Sequence, residues 1–393
     1  MSKKLRLGVF GFGVVGQGLY DVLNKTKGIN AEVVRICVKH RDKTRSLDSS
    51  YFTYDKDDIL NDETLDAVVE LIDNADEAYT IVSSALAKGK AVVSANKKMI
   101  AEHFSDLYAL QQKHQVPFLY EASVCGSIPI IRNLEEYYDN DLLDSLEGIC
   151  NGTTNFILTK TAEENLSYPV ALSQAQQLGF AESNPTLDVK AFDPKYKLTI
   201  LLAHTFGVFI HPDNIFNFGI QNLSEGDNTY AREKGYRIKL IAHTYRTDSK
   251  VVAYVLPKFV ANTNLFFNVR NEFNAVQLGA AFSDKQFFLG KGAGAYPTGS
   301  AVLSDIAALS HNYRYEYKKV TQPGQLPFSN DHDLTLYIRY AHDNLLEELQ
   351  VHDISQRYWS PETKYVIGKV KINNLIKANL NDRVDVFVAK LEE

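Results

Sequence analysis

A glycine-spaced turn held between a strand and a helix constrains this chain more than any other feature. Lys4 to Phe10 is predicted as a buried parallel strand, and Gly11-Phe12-Gly13-Val14-Val15-Gly16 then opens a helix through Leu23. Glu32 to Val38 is the next strand. A βαβ unit of this kind commits the chain to a parallel sheet with helices on its faces. Glycines at this spacing let the chain turn tightly, let backbone approach a pyrophosphate, and let helix pack on strand, with the anion at the helix N-terminus. The motif alone is weak, and a purely structural glycine turn is the alternative. Its place between strand and helix supports the Rossmann-type dinucleotide reading, so all six residues of the turn are candidate cofactor contacts.

The second strand runs into Val38-Lys39-His40-Arg41-Asp42-Lys43, with bases where an acid would hold the ribose 2′-hydroxyl of NAD. Lys39 and Arg41 therefore point to the 2′-phosphate of NADP, while Asp42 keeps NAD possible. Leu65 to Leu71 and Ala91 to Ser94 are further apolar strands, the second followed by a polar-basic turn, Ala95-Asn96-Lys97-Lys98. Alternation of strand and helix persists to about Ile131, after which helices at Ser167 to Leu178 and Lys195 to Phe206 mix with strands at Val251 to Val255 and Ala275 to Leu278.

We expect an α/β dinucleotide-binding domain over residues 1–131, with 291–312 packing back on it, and an α+β catalytic and dimerisation domain over 132–290. The run Gly290 to Gly299 leads straight into a helix to Leu309, which suggests close packing, and Gly292 within it is a candidate cofactor contact. Tyr313 to Gln325 reads as a linker, and 326–393 as a small α+β appendage with strands at Leu334 to Tyr340, Tyr365 to Lys371 and Arg383 to Ala389.

Bulk properties exclude several classes. A net charge of −6 over 393 residues provides no basic footprint for nucleic acid. No stretch of about 20 apolar residues spans a membrane, and the chain passes from a short basic lead into its first strand without a secretory signal. Cys37, Cys125 and Cys150 are odd in number and lack CxxC spacing, which fits a reducing compartment and buried packing roles. We expect a cytoplasmic protein acting on a small molecule. None of the 10 histidines falls in HExxH or a Cys/His cluster, and His204 with His211 reads as packing and loop.

The segment Gly179 to Lys197, GFAESNPTLDVKAFDPKYK, crowds three carboxylates, Glu182, Asp188 and Asp193, and a late lysine around two X-Pro steps. Asp193 is the natural N-cap of the following helix, Pro194 suits its first turn, and Lys197 then falls in that turn. A cation there opposes the helix dipole, and local mismatches of this kind concentrate at functional sites. The plain alternative is a capped surface helix with a solvated lysine.

Taken in order, the fingerprint turn, the strand ending in Ser94-Ala95-Asn96-Lys97, the block Tyr120 to Pro129, the turn Gly148 to Phe156 and the segment Gly179 to Lys197 resemble homoserine dehydrogenase, over Lys4 to about Leu309. The resemblance implies NAD(P)-dependent interconversion of L-homoserine and L-aspartate 4-semialdehyde, on the route to threonine, isoleucine and methionine. It assigns proton transfer at the substrate oxygen to Lys197 with Asp193 beside it, Asp193 and the catalytic Lys97 setting the local charge, and the substrate ammonium to Glu182 and Asp188. Gly152 and Thr153 would receive the substrate carboxylate, and Lys97 would touch the nicotinamide end of the cofactor or the substrate. Ser94 and Asn96 would line the cofactor, as would Asn74, since Asp73-Asn74 stands where relatives have Gly-Gly. Glu121 with the carbonyls of Val124, Gly126 and Ile128 would hold a monovalent cation, sodium or potassium. A homodimer through sheet pairing in the second domain is implied. The appendage stands where many relatives carry an ACT domain, without that fold's Pro-Gly turn, and no aspartate kinase precedes the first strand. Two rivals are an amine-acting amino-acid dehydrogenase on the same fold and a non-catalytic NAD(P)-binding regulator.

Overall fold

The computed structural model describes residues 4–139, 142–361 and 363–392. The chain divides into two compact units, Met1–Asp139 with Lys291–Thr321, and Asn140–Gly290 with Gln322–Glu393. In the first, β1 (Leu5–Phe10), β2 (Ala31–Cys37), β3 (Phe52–Thr53), β4 (Ala67–Glu70), β5 (Ala91–Ser94) and β6 (Phe118–Leu119) form one sheet in the order 3-2-1-4-5-6. Every neighbouring pair is parallel. β4 is buried at all four positions, which is why Ala67-Val68-Val69 reads as an apolar run, with Glu70 closing the strand. The direction of winding reverses between β1 and β4, and sheets of this type bind ligands beyond the strand ends at that switch.

Helices α1 (Val14–Lys25), α2 (Asp57–Leu60), α3 (Ala75–Ala87), α4 (Lys97–Glu102), α5 (Phe104–His114) and α6 (Ile130–Glu136) complete this part of the chain. The polar-basic turn expected at 95–98 is a helix start. Asn96 accepts the Met99 N–H at 3.0 Å, so that Lys97 and Lys98 open α4 instead of standing in a loop.

The second unit begins with β7 (Leu143–Ile149), α7 (Gly152–Glu163), α8 (Tyr168–Gln177), α9 (Thr186–Val189), α10 (Phe192–Phe206), β8 (Phe216–Asn217) and α11 (Glu225–Glu233). β9 (Tyr236–Arg246) and β10 (Val251–Ala261) then pair antiparallel over their whole length, followed by β11 (Phe273–Ala280) and β12 (Asp284–Lys291). β10 runs six residues past the expected end at Val255. The strand continues through Pro257, which is buried, as are Leu256, Phe259 and Val260.

The chain next returns to the first unit as α12 (Ala295–Leu309), five residues longer at its start than expected. α12 meets α1 backbone to backbone: a Cβ at Gly18 would sit 2.1 Å from the Ala295 carbonyl oxygen, and one at Gly299 would sit 2.7 Å from Gly18. The expected linker does not hold as far as α13 (Lys318–Thr321). Tyr315 and Tyr317 are buried, the hydroxyls of Tyr120 and Tyr317 lie 2.7 Å apart, and Gln111 Nε2 donates to the Tyr315 carbonyl at 3.3 Å. Tyrosine is ambiguous in sequence because its ring can be core while its hydroxyl needs a partner.

β13 (Asp333–Tyr340), α14 (Asn344–Glu348), β14 (His352–Trp359), β15 (Lys364–Lys371), α15 (Ile372–Lys377) and β16 (Val386–Lys390) end the described chain. The second sheet runs 12-11-7-9-10-16-13-15-14, with β8 also on β10. The stretch expected as an appendage thus extends the same sheet, with β16 between β10 and β13. Arg339 and Tyr337 donate to the buried Asp227 carboxylate of α11 at 2.9 and 3.1 Å, tying β13 to that helix.

Candidate active site

In the second unit, three parts of the chain converge on one buried lysine. Lys197 Nζ donates to Asp193 Oδ2 at 2.7 Å and to the carbonyl of Cys150, the residue after β7, at 2.6 Å. Both side chains of the pair are about nine-tenths buried. α10 begins at Phe192 behind Ala191, which caps it in the left-handed region at φ 64°. Asp193 is therefore inside the first turn and not the N-cap, and Lys197 lies one turn further in. Their i,i+4 spacing, which places both on one helix face, makes the pair. The expected dipole mismatch is accordingly answered by a specific carboxylate.

Asn151 joins the rest. Its side-chain amide donates to Asp193 Oδ2 at 2.8 Å and to Asp188 Oδ1 at 2.7 Å, while its Oδ1 accepts the Thr154 N–H at 2.8 Å and caps α7. The Asn-Gly pair is thus a helix start, with Gly152 and Thr153 in the first turn, where amides lack intrahelical acceptors and the dipole favours an anion. Gly152 has no room for a side chain, since a Cβ would lie 2.7 Å from the Glu272 carbonyl oxygen. Thr153 Oγ1 donates to the Phe180 carbonyl at 2.5 Å, which anchors the acidic segment carrying Glu182. Glu182 is exposed, and Gln176 Nε2 reaches its carbonyl at 3.1 Å. Asp193, Lys197, Asp188, Gly152 and Thr153 are thus gathered by Asn151, a residue whose hub role the sequence did not reveal. An Asn before Gly-Thr-Thr at a strand end was the available signal. His204 is fully buried and His211 exposed.

In the first unit, Gly11 turns at φ 97° and would place a Cβ 2.6 Å from the Leu71 carbonyl oxygen, so both its conformation and its packing demand glycine. A Cβ at Gly16 would lie 2.5 Å from the Gly11 oxygen, whereas one at Gly13 would meet nothing within 4 Å. Gly13 is also the N-cap of α1 and makes no side-chain cap there. The result is a bare helix N-terminus with open space before it. Phe12 is buried against Tyr20 and Phe52, Val14 is exposed, and Val15 is half-buried.

Lys39, Arg41 and Asp42 are exposed after β2, with the Arg41 guanidinium 4.6 Å from the Tyr54 ring centre. Asn74 accepts the Glu77 N–H at 2.8 Å and caps α3, so its side chain already serves that helix. Ser94 and Asn96 belong to an internal network with Glu70, and Lys97 is half-buried at the start of α4.

The 121–128 segment is strapped to the returning chain: Ser127 N–H donates to the Lys291 carbonyl at 3.0 Å, and the Gly292 oxygen closes on Gly126, which turns at φ 53°. Glu121 accepts the Ile131 and Arg132 N–H groups, both at 2.8 Å, at the start of α6. Its own N–H donates to Asp305 at 2.8 Å, and Arg132 reaches Asp305 at 3.2 Å. Burial first, then the charge of Asp305, pushes the Glu121 carboxyl up to about 8, and burial pushes Asp305 up to about 7. Asp305 carried no signal in sequence, lying in an apolar helix.

Models of known families match the chain over residues 129–307, described as homoserine dehydrogenase, and over residues 11–121, described as the homoserine dehydrogenase NAD-binding domain. Homoserine dehydrogenase of Lactococcus lactis is 36% identical over 316 residues, covering 78% of this chain and 74% of the relative. That of Bacillus subtilis is 34% identical over 321 residues, covering 79% and 74%. The crystal structure of a homoserine dehydrogenase from Thiobacillus denitrificans superposes with a TM-score of 0.85 at 30% identity, covering 100% of this chain and 99% of the other. The folded parallel sheet, its open glycine turn and these likenesses agree, and the chain belongs to the homoserine dehydrogenase family, NAD(P)-dependent oxidoreductases acting on a CH–OH group.

Proposed function

We propose that Lys197 is the acid–base group for the interconversion of L-homoserine and L-aspartate 4-semialdehyde, with Asp193 and Asn151 holding it in place. The observation carrying this reading is the buried Lys197–Asp193 pair at 2.7 Å, closed by the Cys150 carbonyl. In the reducing direction the Lys197 ammonium gives a proton to the oxygen that becomes the hydroxyl. In the oxidising direction the neutral amine takes it back. Asp193 fixes the amine's direction, and Asn151 fixes Asp193. Asp188 and Glu182 offer carboxylates to the substrate ammonium, and the Gly152 and Thr153 amides at the α7 N-terminus suit its carboxylate.

The bare α1 N-terminus and the space before Gly13 fit a pyrophosphate, with Gly11, Phe12, Val14, Val15 and Gly16 forming its cradle. A bound nicotinamide cofactor supplies or accepts the hydride. Lys39 and Arg41 favour NADP over NAD because they are exposed cations following β2, a chemistry suited to a 2′-phosphate. Ser94, Asn96, Lys97, Asn74 and Gly292 are assigned around the same cofactor, Lys97 toward its nicotinamide end; Asn74 would contribute backbone, since its side chain caps α3.

Sodium or potassium at Glu121, Val124, Gly126 and Ile128 is supported by the buried Glu121 and Asp305 carboxyls, which face the Arg132 guanidinium among the described residues: a bound cation would favour their ionised forms against the burial that raises them. We also assign a homodimer through sheet pairing in the second unit, whose outer strands β12 and β14 carry the exposed Leu289 and Trp359. No helix among the described residues is long and apolar enough to cross a membrane. A cytoplasmic biosynthetic role is the reading consistent with the substrate.

The test is homoserine-dependent reduction of NADP⁺ and NAD⁺ by wild type and Lys197→Ala, with sodium or potassium present. Turnover lost in the variant while NADPH still binds supports the assignment. Retention of turnover removes Lys197 from the proton step.

A further inference from the structure

Glu70, the last residue of β4, is fully buried, and no role in cofactor or substrate handling follows from its sequence context. Its two carboxylate oxygens point to different loops. Oε1 accepts the Ile72 N–H at 2.7 Å, on the turn that follows β4, and Oε2 accepts the Ser94 hydroxyl at 2.5 Å, at the end of β5. Ser94 Oγ in turn accepts the Asn96 N–H at 3.1 Å, and Asn96 Nδ2 donates back to the Ile72 carbonyl at 3.0 Å. Asn96 also caps α4, whose first residue is Lys97. A closed ring of hydrogen bonds therefore joins two loops that lie beside each other at the carboxyl ends of parallel strands.

The position matters because of the neighbour on the other side. Glu70 is paired with Phe10 of β1, directly before the Gly11 turn, and the Leu71 carbonyl is the atom that a side chain at Gly11 would strike. The 71–72 turn is thus one wall of the crevice at the switch between β1 and β4, and the ring ties that wall to the start of α4.

We propose that Glu70 is a positioning residue for the dehydrogenase reaction, locking the turn after β4 to the Ser94–Lys97 loop so that the cofactor wall and Lys97 keep one arrangement. This rests on the reading of the β1–β4 crevice as the cofactor site. A carboxylate is suited to the task because it accepts on both sides at once. Its protonated form, or a glutamine, keeps the Ile72 amide only by donating to Ser94 Oγ, which turns the Ser94 hydroxyl from donor to acceptor and removes the charge-assisted hydrogen bond to the carboxylate. The carboxyl titrates in the working range: burial, with a smaller push from Asp73 on the same turn, raises it to about 7 against the pull of Ser94 and the Ile72 amide. The Ser94 and Asn96 side chains that face it from the β5 end are uncharged.

NADPH binding to the full chain, by calorimetry at pH 6 to 8, tests this on wild type, Glu70→Gln and Ser94→Ala, with kcat and KM measured alongside. Loss of one charge-assisted hydrogen bond predicts about tenfold weaker binding by Glu70→Gln at pH 8. The ratio of the two affinities should shrink toward one at pH 6, where the wild-type carboxyl is itself protonated; the 2′-phosphate titrates alike in both proteins and cancels. Ser94→Ala should lower affinity in the same direction, and the double variant should add little to either single change. Affinities equal to wild type across the range would overturn the proposal, as would a loss accounted for by the unfolded fraction at each pH. If wild type binds neither NADPH nor NADH, the crevice reading itself falls, and the Glu70 role with it.

Discussion

Replacing Asn151 by Asp is the sharpest test of the hub in the second unit. The change is nearly isosteric and keeps an oxygen that can cap α7, but it puts a carboxylate where an amide now donates to Asp188 at 2.7 Å and Asp193 at 2.8 Å. Two hydrogen bonds to charged acceptors disappear, worth about 1.5–3 kcal/mol each. Repulsion among three carboxylates is added, limited by the alternative of protonating one of them, which costs about 1.4 kcal/mol per pH unit above its ordinary value. Since Asp188 is only half-buried, we expect the folded state to lose about 3–5 kcal/mol at pH 8. The raised folded value of the shared proton means that the folded state binds more protons than the unfolded one. The deficit must therefore grow as pH rises from about 4, the ordinary Asp range, and level off above the raised value, leaving only about 1–2 kcal/mol at pH 5. Urea unfolding of wild type, Asn151→Asp and Asn151→Ser at pH 5 and 8 measures this, with Ser retaining a cap without adding charge. A deficit in Asn151→Asp that is the same at both pH values would refute the reasoning. Turnover should fall by about a hundredfold or more at pH 8, because the Lys197 amine loses its fixed partner.

Gly18→Ala should destabilise the first unit by about 1–3 kcal/mol, seen as a lowered unfolding temperature, because the new methyl lies 2.1 Å from the Ala295 oxygen and neither backbone can withdraw cheaply. Arg41→Ala should raise KM for NADPH about tenfold and leave KM for NADH nearly unchanged; equal effects on both would remove Arg41 from 2′-phosphate recognition. Lys239, buried and donating to Asn155 Oδ1 at 2.9 Å, is pushed down to about 7 by burial and by Arg237. The unfolded chain then holds the extra proton between about pH 7 and 10.4, so wild type should gain about 2 kcal/mol over Lys239→Met between pH 7 and 9; identical pH profiles would contradict the shift.

Much of the first unit was legible because its signals are local. Glycine spacing, apolar runs such as Ala67-Val68-Val69 and helix periodicity all act within a few residues, so β1, α1, β2 and β5 lie within one or two residues of expectation. Misreadings came where one residue type supports two environments. Tyr315 and Tyr317 looked like linker and are core, while Asp193 looked like a cap because nothing in the sequence shows that Ala191 takes a left-handed turn before it. β14, with Asp353 at φ 47° and interrupted pairing to β15, had no readable alternation. The paired lysine and aspartate were visible as a spacing of four. Asn151, Glu70 and Asp305 were not, because their significance arises from partners 24 to 184 residues away.

The placement of β16 bears on how the protein is made. Residues 386–390 lie between β10 and β13, so a ribosome must translate past position 390 before the central rows of the second sheet can close. Until then β9 and β10 can form their hairpin and β8 can pair beside Tyr254 and Val255, but the end of β10 around Lys258 presents unsatisfied amides and carbonyls toward the missing neighbour. Pairing across more than 120 residues is slow to form because loop closure precedes any gain from contact. The nascent second unit therefore passes through a stage with an open, strongly apolar strand, which is the stage at which a holdase chaperone would bind and at which early release from the ribosome would direct the chain toward aggregation.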